Sequence, residues 1–281
     1  VTEDRSGRRS LTARLLSTAM VASARVNTAI QRASSAWANA TGAALASALT
    51  DDELSAITVA LYDRSHTAGW ADFGLRGWEE DWYAVALPPP PATVLVCAAG
   101  GGREVRALVT MGYAVDAFEP ADAAFAQLRQ AEGPRCRTIQ ASYEDFVTGN
   151  IALADTYDAV VLGWGSLSHV MSAPVRRVIW KAADRHCTGP LLASFYMRHR
   201  HRVGRAERWG RLIGEPLGRL RGVPRRGGAV KYAHWGGFSE PLTFEEVEQA
   251  GRDLGRPTRW GLRGAWPYVT LEPRSEGRPE E

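Results

Sequence analysis

The 281-residue chain is 45% hydrophobic and 23% charged, with a formal net charge of +3, an ordinary balance for a globular domain with room for an appendage. No uninterrupted apolar stretch reaches the roughly 18–20 residues a membrane span needs. The three cysteines, Cys97, Cys136 and Cys187, lie far apart, which excludes a disulfide framework and a metal-knuckle spacing and suits a reducing, bacterial-type cytoplasm.

Residues 1–49 are rich in Ala, Ser and Arg, with Glu3 and Asp4 their only acids. Leu11, Leu15, Ala19, Val26, Ile30 and Trp37 recur at helical intervals, which predicts one or two amphipathic helices acting as a lid or as an arm that pairs two copies. Thr50 with Glu53 forms a capping box that opens a further helix through about Tyr62. "GWADFGLRGWEEDWY" then concentrates Trp70, Phe73, Trp78, Trp82 and Tyr83, and the run Pro88–Pro91 closes an N-terminal helical layer over 1–90.

From Thr93 the pattern becomes strands alternating with helices. Strands are predicted at 93–98, 114–118, 136–140, 158–163 and 190–196, with helices at about 103–111, 121–131 and 174–186. Uninterrupted apolar strands of this kind build a parallel sheet covered on both faces. A helix capped by Thr243 follows at 244–254, with two last strands at 257–262 and 267–272. The segment 198–231 interrupts this plan as an Arg-rich insertion, eleven Lys/Arg against two Glu. Residues 273–281 read as a disordered tail.

The first strand runs into "VLVCAAGGGREV". A dinucleotide-binding turn requires G-x-G-x-x-G and fails here in either register, because Arg103 or Val105 falls on the third glycine. A phosphate-cradling loop fails for want of Gly-Lys-Ser/Thr. What remains is a small-x-Gly-x-Gly turn at Ala98, Ala99, Gly100, Gly101 and Gly102, followed by an acid, Glu119, at the end of the next strand. In a doubly wound sheet that is the edge where ligands bind.

With "AVDAFEP", "ASYEDF", "YDAVVLGWGSLSH" and "TFEEVEQAG…WPYVTL", the turn gives residues 60–272 a resemblance to the class I S-adenosylmethionine-dependent methyltransferases. The resemblance implies an α/β fold with a doubly wound, seven-stranded, mostly parallel sheet over 91–272, and S-adenosylmethionine as cofactor with S-adenosylhomocysteine as product. It places the methionine and ribose against residues 98–102. It gives the ribose hydroxyls to Glu119 beside Pro120, and the adenine edge to Ser142, Tyr143, Glu144 and Asp145. Gly163, Trp164, Ser166 and His169 would face both cofactor and acceptor. Tyr62 and Trp70 would belong to a lid, and Tyr196 and His234 to the acceptor pocket. The family's usual strand acid and first glycine are Val96 and Ala98 here, so the cofactor's amino group must be held by backbone carbonyls or by another residue.

His169 and His234 are the candidate bases, since an imidazole titrates near neutrality; His169 can equally be a contact to cofactor or substrate. The arginines of 198–231 point to an anionic or carrier-bound small molecule of natural-product type, a membrane surface or nucleic acid. "GWGS" after the fourth strand argues against methylation of base amino groups, where Asp/Asn-Pro-Pro-aromatic is usual. The leading expectation is methyl transfer to oxygen or nitrogen of a small molecule in a biosynthetic setting. The alternatives are a nucleic-acid methyltransferase and a protein that acts on the aminocarboxypropyl arm of the cofactor or only binds it. A homodimer through the N-terminal helices is a further expectation.

Overall fold

The computed structural model describes residues 4–65, 73–197, 204–226, 230–233, 236–263 and 266–274. Trp70 and His234 lie outside the described residues. A single helix, α1 (Asp4–Ala48), takes up the N-terminal Ala/Ser/Arg stretch, and α2 (Asp51–Ser65) follows after a two-residue break. The capping box closes as the sequence predicts: Glu53 N–H donates to Thr50 Oγ1 at 3.3 Å and Thr50 N–H to Glu53 Oε2 at 2.9 Å. The aromatic stretch yields a helix that periodicity did not announce, α3 (Gly77–Ala86), which buries Trp82 and Tyr83 against the sheet.

The main sheet contains β1 (Thr93–Cys97), β2 (Ala114–Glu119), β3 (Cys136–Gln140), β4 (Ala159–Leu162), β5 (Leu191–Ser194), β8 (Thr258–Arg263) and β9 (Trp266–Leu271). Their order is β3-β2-β1-β4-β5-β9-β8, with the first five parallel and β9 antiparallel to both its neighbours. The connecting helices are α4 (Arg103–Thr110), α5 (Asp122–Leu128), α6 (Tyr143–Thr148), α7 (Ala173–Arg185) and α9 (Phe244–Leu254). Apolar residues on the two faces of β1 and β4 feed two separate cores. Val94, Val96, Ala159 and Val161 pack with α3 and α4; Leu95, Cys97, Val160 and Leu162 pack with α6, α7 and α9. This two-sided burial is why these strands read as unbroken apolar runs. Trp180 of α7 is 2% exposed there.

The described part of the Arg-rich insertion is largely a helix, α8 (Arg205–Leu220), which lies along the last turns of α1. A small hairpin of β6 (Lys231–Ala233) and β7 (Gly237–Ser239) packs against α1 and α2. Part of the insertion's charge is spent on the fold. The guanidinium of Arg226 donates to Ala46 O and Leu49 O, and that of Arg221 to Ala48 O at 3.1 Å. These are carbonyls that the end of a helix leaves without intrahelical partners. No described helix is long and apolar enough to cross a membrane.

Candidate functional site

The carboxyl ends of β1, β2 and β4 meet at one edge of the sheet, and the backbone there is unusual. Ala98 (φ 49°), just past β1, and Trp164 (φ 33°), just past β4, both adopt left-handed conformations that non-glycine residues avoid. Such strain costs on the order of 1 kcal/mol per residue and concentrates at ligand sites. Ala98 thus holds, with a side chain, the conformation for which glycine would be unstrained. Gly100 (φ 55°) and Gly102 (φ 82°) complete the turn, and Gly102 N-caps α4.

Glu119 ends β2 and reaches across to this turn. Its Oε2 accepts the Gly100 N–H at 2.8 Å and its Oε1 the Ala121 N–H at 3.0 Å, which leaves each oxygen a lone pair for a ligand. The residue is 5% exposed. Burial pushes its carboxyl up to about 7, against the opposing pull of the two N–H bonds; the nearby Asp63 charge adds to the rise. Asp63, at the end of α2, itself accepts the Ala123 N–H at 2.9 Å and so ties α2 to the start of α5.

A second buried carboxylate stands on the other side of the turn, and sequence reasoning passed over it. Glu104, in the first turn of α4, accepts the Tyr83 hydroxyl on Oε1 at 2.7 Å. Its Oε2 lies over Gly163, where even a Cβ would come within 2.3 Å, and accepts no hydrogen bond from the described residues. Burial raises the Glu104 carboxyl above its usual range. Its neighbour Arg103 is held by both oxygens of the buried Glu79, each at 2.6 Å. The signal was in the sequence: an acid directly after "GGGR", with an aromatic helix upstream to supply the tyrosine. The guanidinium groups of Arg76 and Arg103 lie over the Trp164 indole, 5.1 and 4.9 Å from its ring centroid.

Around the mouth of β4, aromatic rings enclose His169. Its Nδ1 is 2.8 Å from Phe238 O, and its Nε2 is 3.2 Å from the Tyr62 hydroxyl. A carbonyl only accepts, so Nδ1 carries the proton and Nε2 receives the Tyr62 O–H. Burial lowers the imidazole below its ordinary value, which keeps this neutral tautomer at pH 7. Tyr62 and Tyr196 meet the imidazole edge-on at 5.5 and 5.7 Å, and burial raises the Tyr196 phenol to about 12. Tyr62, His169 and Tyr196, separated widely in sequence, are thus brought together.

The predicted adenine edge is arranged more tightly than its composition suggested. Ser142 caps α6: its N–H and hydroxyl donate to Asp145 Oδ2 at 2.8 and 2.7 Å, so this carboxylate faces the helix start. Those bonds hold the Asp145 carboxyl below its usual range. Tyr143 shares a 2.7 Å hydrogen bond with Ser166, joining the loops after β3 and β4, while Glu144 stays exposed.

The topology and this edge decide the fold family. The fold is that of the class I S-adenosylmethionine-dependent methyltransferases. Among solved structures, the chain is similar to 1,6-didemethyltoxoflavin-N1-methyltransferase from Burkholderia thailandensis, bound to 1,6-didemethyltoxoflavin and S-adenosylhomocysteine. The TM-score is 0.55 at 16% identity, over 81% of this chain and 92% of that one. It is also similar to a SAM-dependent methyltransferase of Methanosarcina mazei, with a TM-score of 0.52 at 15% identity over 73% of this chain and 100% of that one. A DhpI–SAH complex matches with a TM-score of 0.51 at 16% identity over 80% of this chain and 99% of that one. No family model and no curated protein sequence matches the chain. At such identities the likeness is carried by the methyltransferase fold.

Proposed function

We propose that the chain is an S-adenosylmethionine-dependent methyltransferase acting on an oxygen or nitrogen of a small molecule. The observation that carries this reading is Glu119: a buried carboxylate bridging the glycine turn and the next helix start, at the ligand edge of the sheet, with acceptor capacity left for a vicinal diol. The donor set fits the cofactor. Glu119 suits the ribose hydroxyls and Glu104 Oε2 the amino group, supplying the acid that Val96 lacks. Arg76, exposed beside Trp164, suits the carboxylate, and Ser142, Tyr143 and Glu144 would border the adenine.

When bound, S-adenosylmethionine supplies a methyl group already activated on a sulfonium. The protein's task is then chiefly alignment and exclusion of water. Tyr62 and Tyr196 offer ring faces suited to a cation, and the Ser166 hydroxyl, bonded to Tyr143, would serve as a contact for the acceptor. His169 Nε2 is the lone pair available to take a proton from an acceptor hydroxyl or ammonium once Tyr62 yields it. A small acceptor is supported by the toxoflavin enzyme among the similar structures. The arginines engaged by α1's terminal carbonyls weaken the case for a nucleic-acid groove.

Incubation with methyl-labelled S-adenosylmethionine and a whole-cell extract containing both metabolites and nucleic acid tests the reading. S-adenosylhomocysteine together with a labelled metabolite supports it. Methylthioadenosine would instead mean chemistry on the aminocarboxypropyl arm, and label in nucleic acid would overturn the acceptor class.

A further inference from the structure

Helices α1 and α8 pack with almost no side chains between them. A Cβ on Gly210, Gly214 or Gly218 would come within 2.0, 2.2 and 2.1 Å of the carbonyl oxygens of Ala40, Ala44 and Ser47. The contacts advance in the same direction on both helices, so the two run parallel. This fixes how each helix is rotated about its axis, and therefore which way its remaining faces point.

At about 100° per residue, Trp209, Leu212, Ile213, Leu217 and Leu220 of α8 fall in one sector about 140° wide beside the glycine edge. All five are more than half exposed, Trp209 at 67% and Leu220 at 86%. On α1, Val26, Ile30 and Trp37 flank the Ala40–Ala44–Ser47 stripe, and Trp37 is 77% exposed. The α1 sector is rotated from the shared seam in the opposite sense to the α8 sector. In parallel helices that brings both to the same side: Trp37 stands beside the α8 sector, and Ile30 and Val26 continue the apolar face along α1 beyond the start of α8.

Arg205, in the first turn of α8, falls at the edge of the apolar sector, but Arg208, Arg211, Glu215 and Arg219 lie on the reverse. Arg211, Glu215 and Arg219 line a small cleft there with Ala43, Ala46 and Ser47, and Arg25 and Arg32 of α1 share that side. A face that lies on an anionic membrane carries basic residues around its apolar rim, and a nucleic-acid face carries them at its centre. Here the α8 arginines other than Arg205 point away. The face runs on from the α1–α8 seam, and its exposed side chains offer on the order of 1,000 Å², against about 800 Å² per partner in a standard interface.

We propose that this face is where a second copy of the chain docks, forming a two-fold symmetric dimer of four packed helices. An isologous contact of this kind buries the same apolar side chains on both copies and leaves the arginine sides outward. The candidate active site lies at the sheet edge, so the proposal stands apart from the methyltransferase reading.

Light scattering on size-exclusion of the full chain at roughly 50 μM, above the micromolar constants of weak interfaces, tests it. The dimer mass is expected for the unmodified chain and for Arg208→Glu, and the monomer mass for Trp209→Glu/Ile213→Glu with an unchanged circular-dichroism melt. Leu220→Glu, at the most exposed position, serves if the double variant does not fold. A monomeric unmodified chain, dimers that survive both variants, or a monomer that sediments with anionic vesicles would each overturn the proposal.

Discussion

Raising the pH from 6 to 8 is expected to strengthen the binding of an adenosyl ligand through a single residue. Glu119 is buried and its carboxyl is raised to about 7, so in the ligand-free protein about one-tenth is ionised at pH 6 and about nine-tenths at pH 8. A diol donates two O–H groups and is best received by the ionised form, whose oxygens keep a lone pair each beyond their backbone bonds. Apparent affinity scales with the competent fraction, so the dissociation constant falls roughly tenfold across this range. Folding runs the other way. With a raised pKa, the residue's contribution to stability is fully present below about pH 4.5 and is lost as the pH climbs through about 7, a span of about 3 kcal/mol. Calorimetric titration with adenosine, which has no group titrating in this window, isolates the effect. Glu119→Gln should flatten the pH dependence and weaken binding by roughly 10–100-fold at pH 8, the loss of a charge-assisted bond. A pH-independent affinity for the unmodified chain, or a Gln variant that binds as well, would refute the assignment of the ribose to this carboxylate.

Glu104→Gln should weaken S-adenosylhomocysteine by roughly tenfold or more while sparing methylthioadenosine, which has no amino acid end; equal losses for both ligands would make Glu104 merely structural. His169→Asn is expected to keep cofactor affinity within about threefold but lower kcat by 100-fold or more if the imidazole is the base. It should also remove an acid limb lying below pH 6.5, as the lowered imidazole pKa requires. A kcat profile unchanged by the substitution removes His169 from the chemistry. Gly214→Val drives a side chain into Ala44 O and should cost about 1–3 kcal/mol, lowering the thermal midpoint by roughly 3–10 °C.

Local chemistry announced much of this molecule. The unbroken apolar runs at Val94–Cys97 and Ala159–Leu162 could only be strands buried on both faces, and the Thr50 and Thr243 caps placed two helix starts through bonds spanning three residues. The glycine turn and Glu119 were legible because strand ends and turn residues sit at fixed offsets along the chain. Helices α3 and α6 were missed: one is masked by aromatic crowding, and the other, at six residues, is too short to show a period.

The tertiary structure alone decided what depends on separate segments meeting. It set Glu104 against Gly163 under the Tyr83 hydroxyl, a carboxylate whose role no neighbour in sequence reveals. It selected the His169 tautomer through Phe238 O, 69 residues away. It turned Arg221 and Arg226 from a basic patch into the cap of α1. Composition and periodicity count residues along one chain segment. Burial, protonation state and the partner of a charge depend on distances between segments, which only the packed fold supplies.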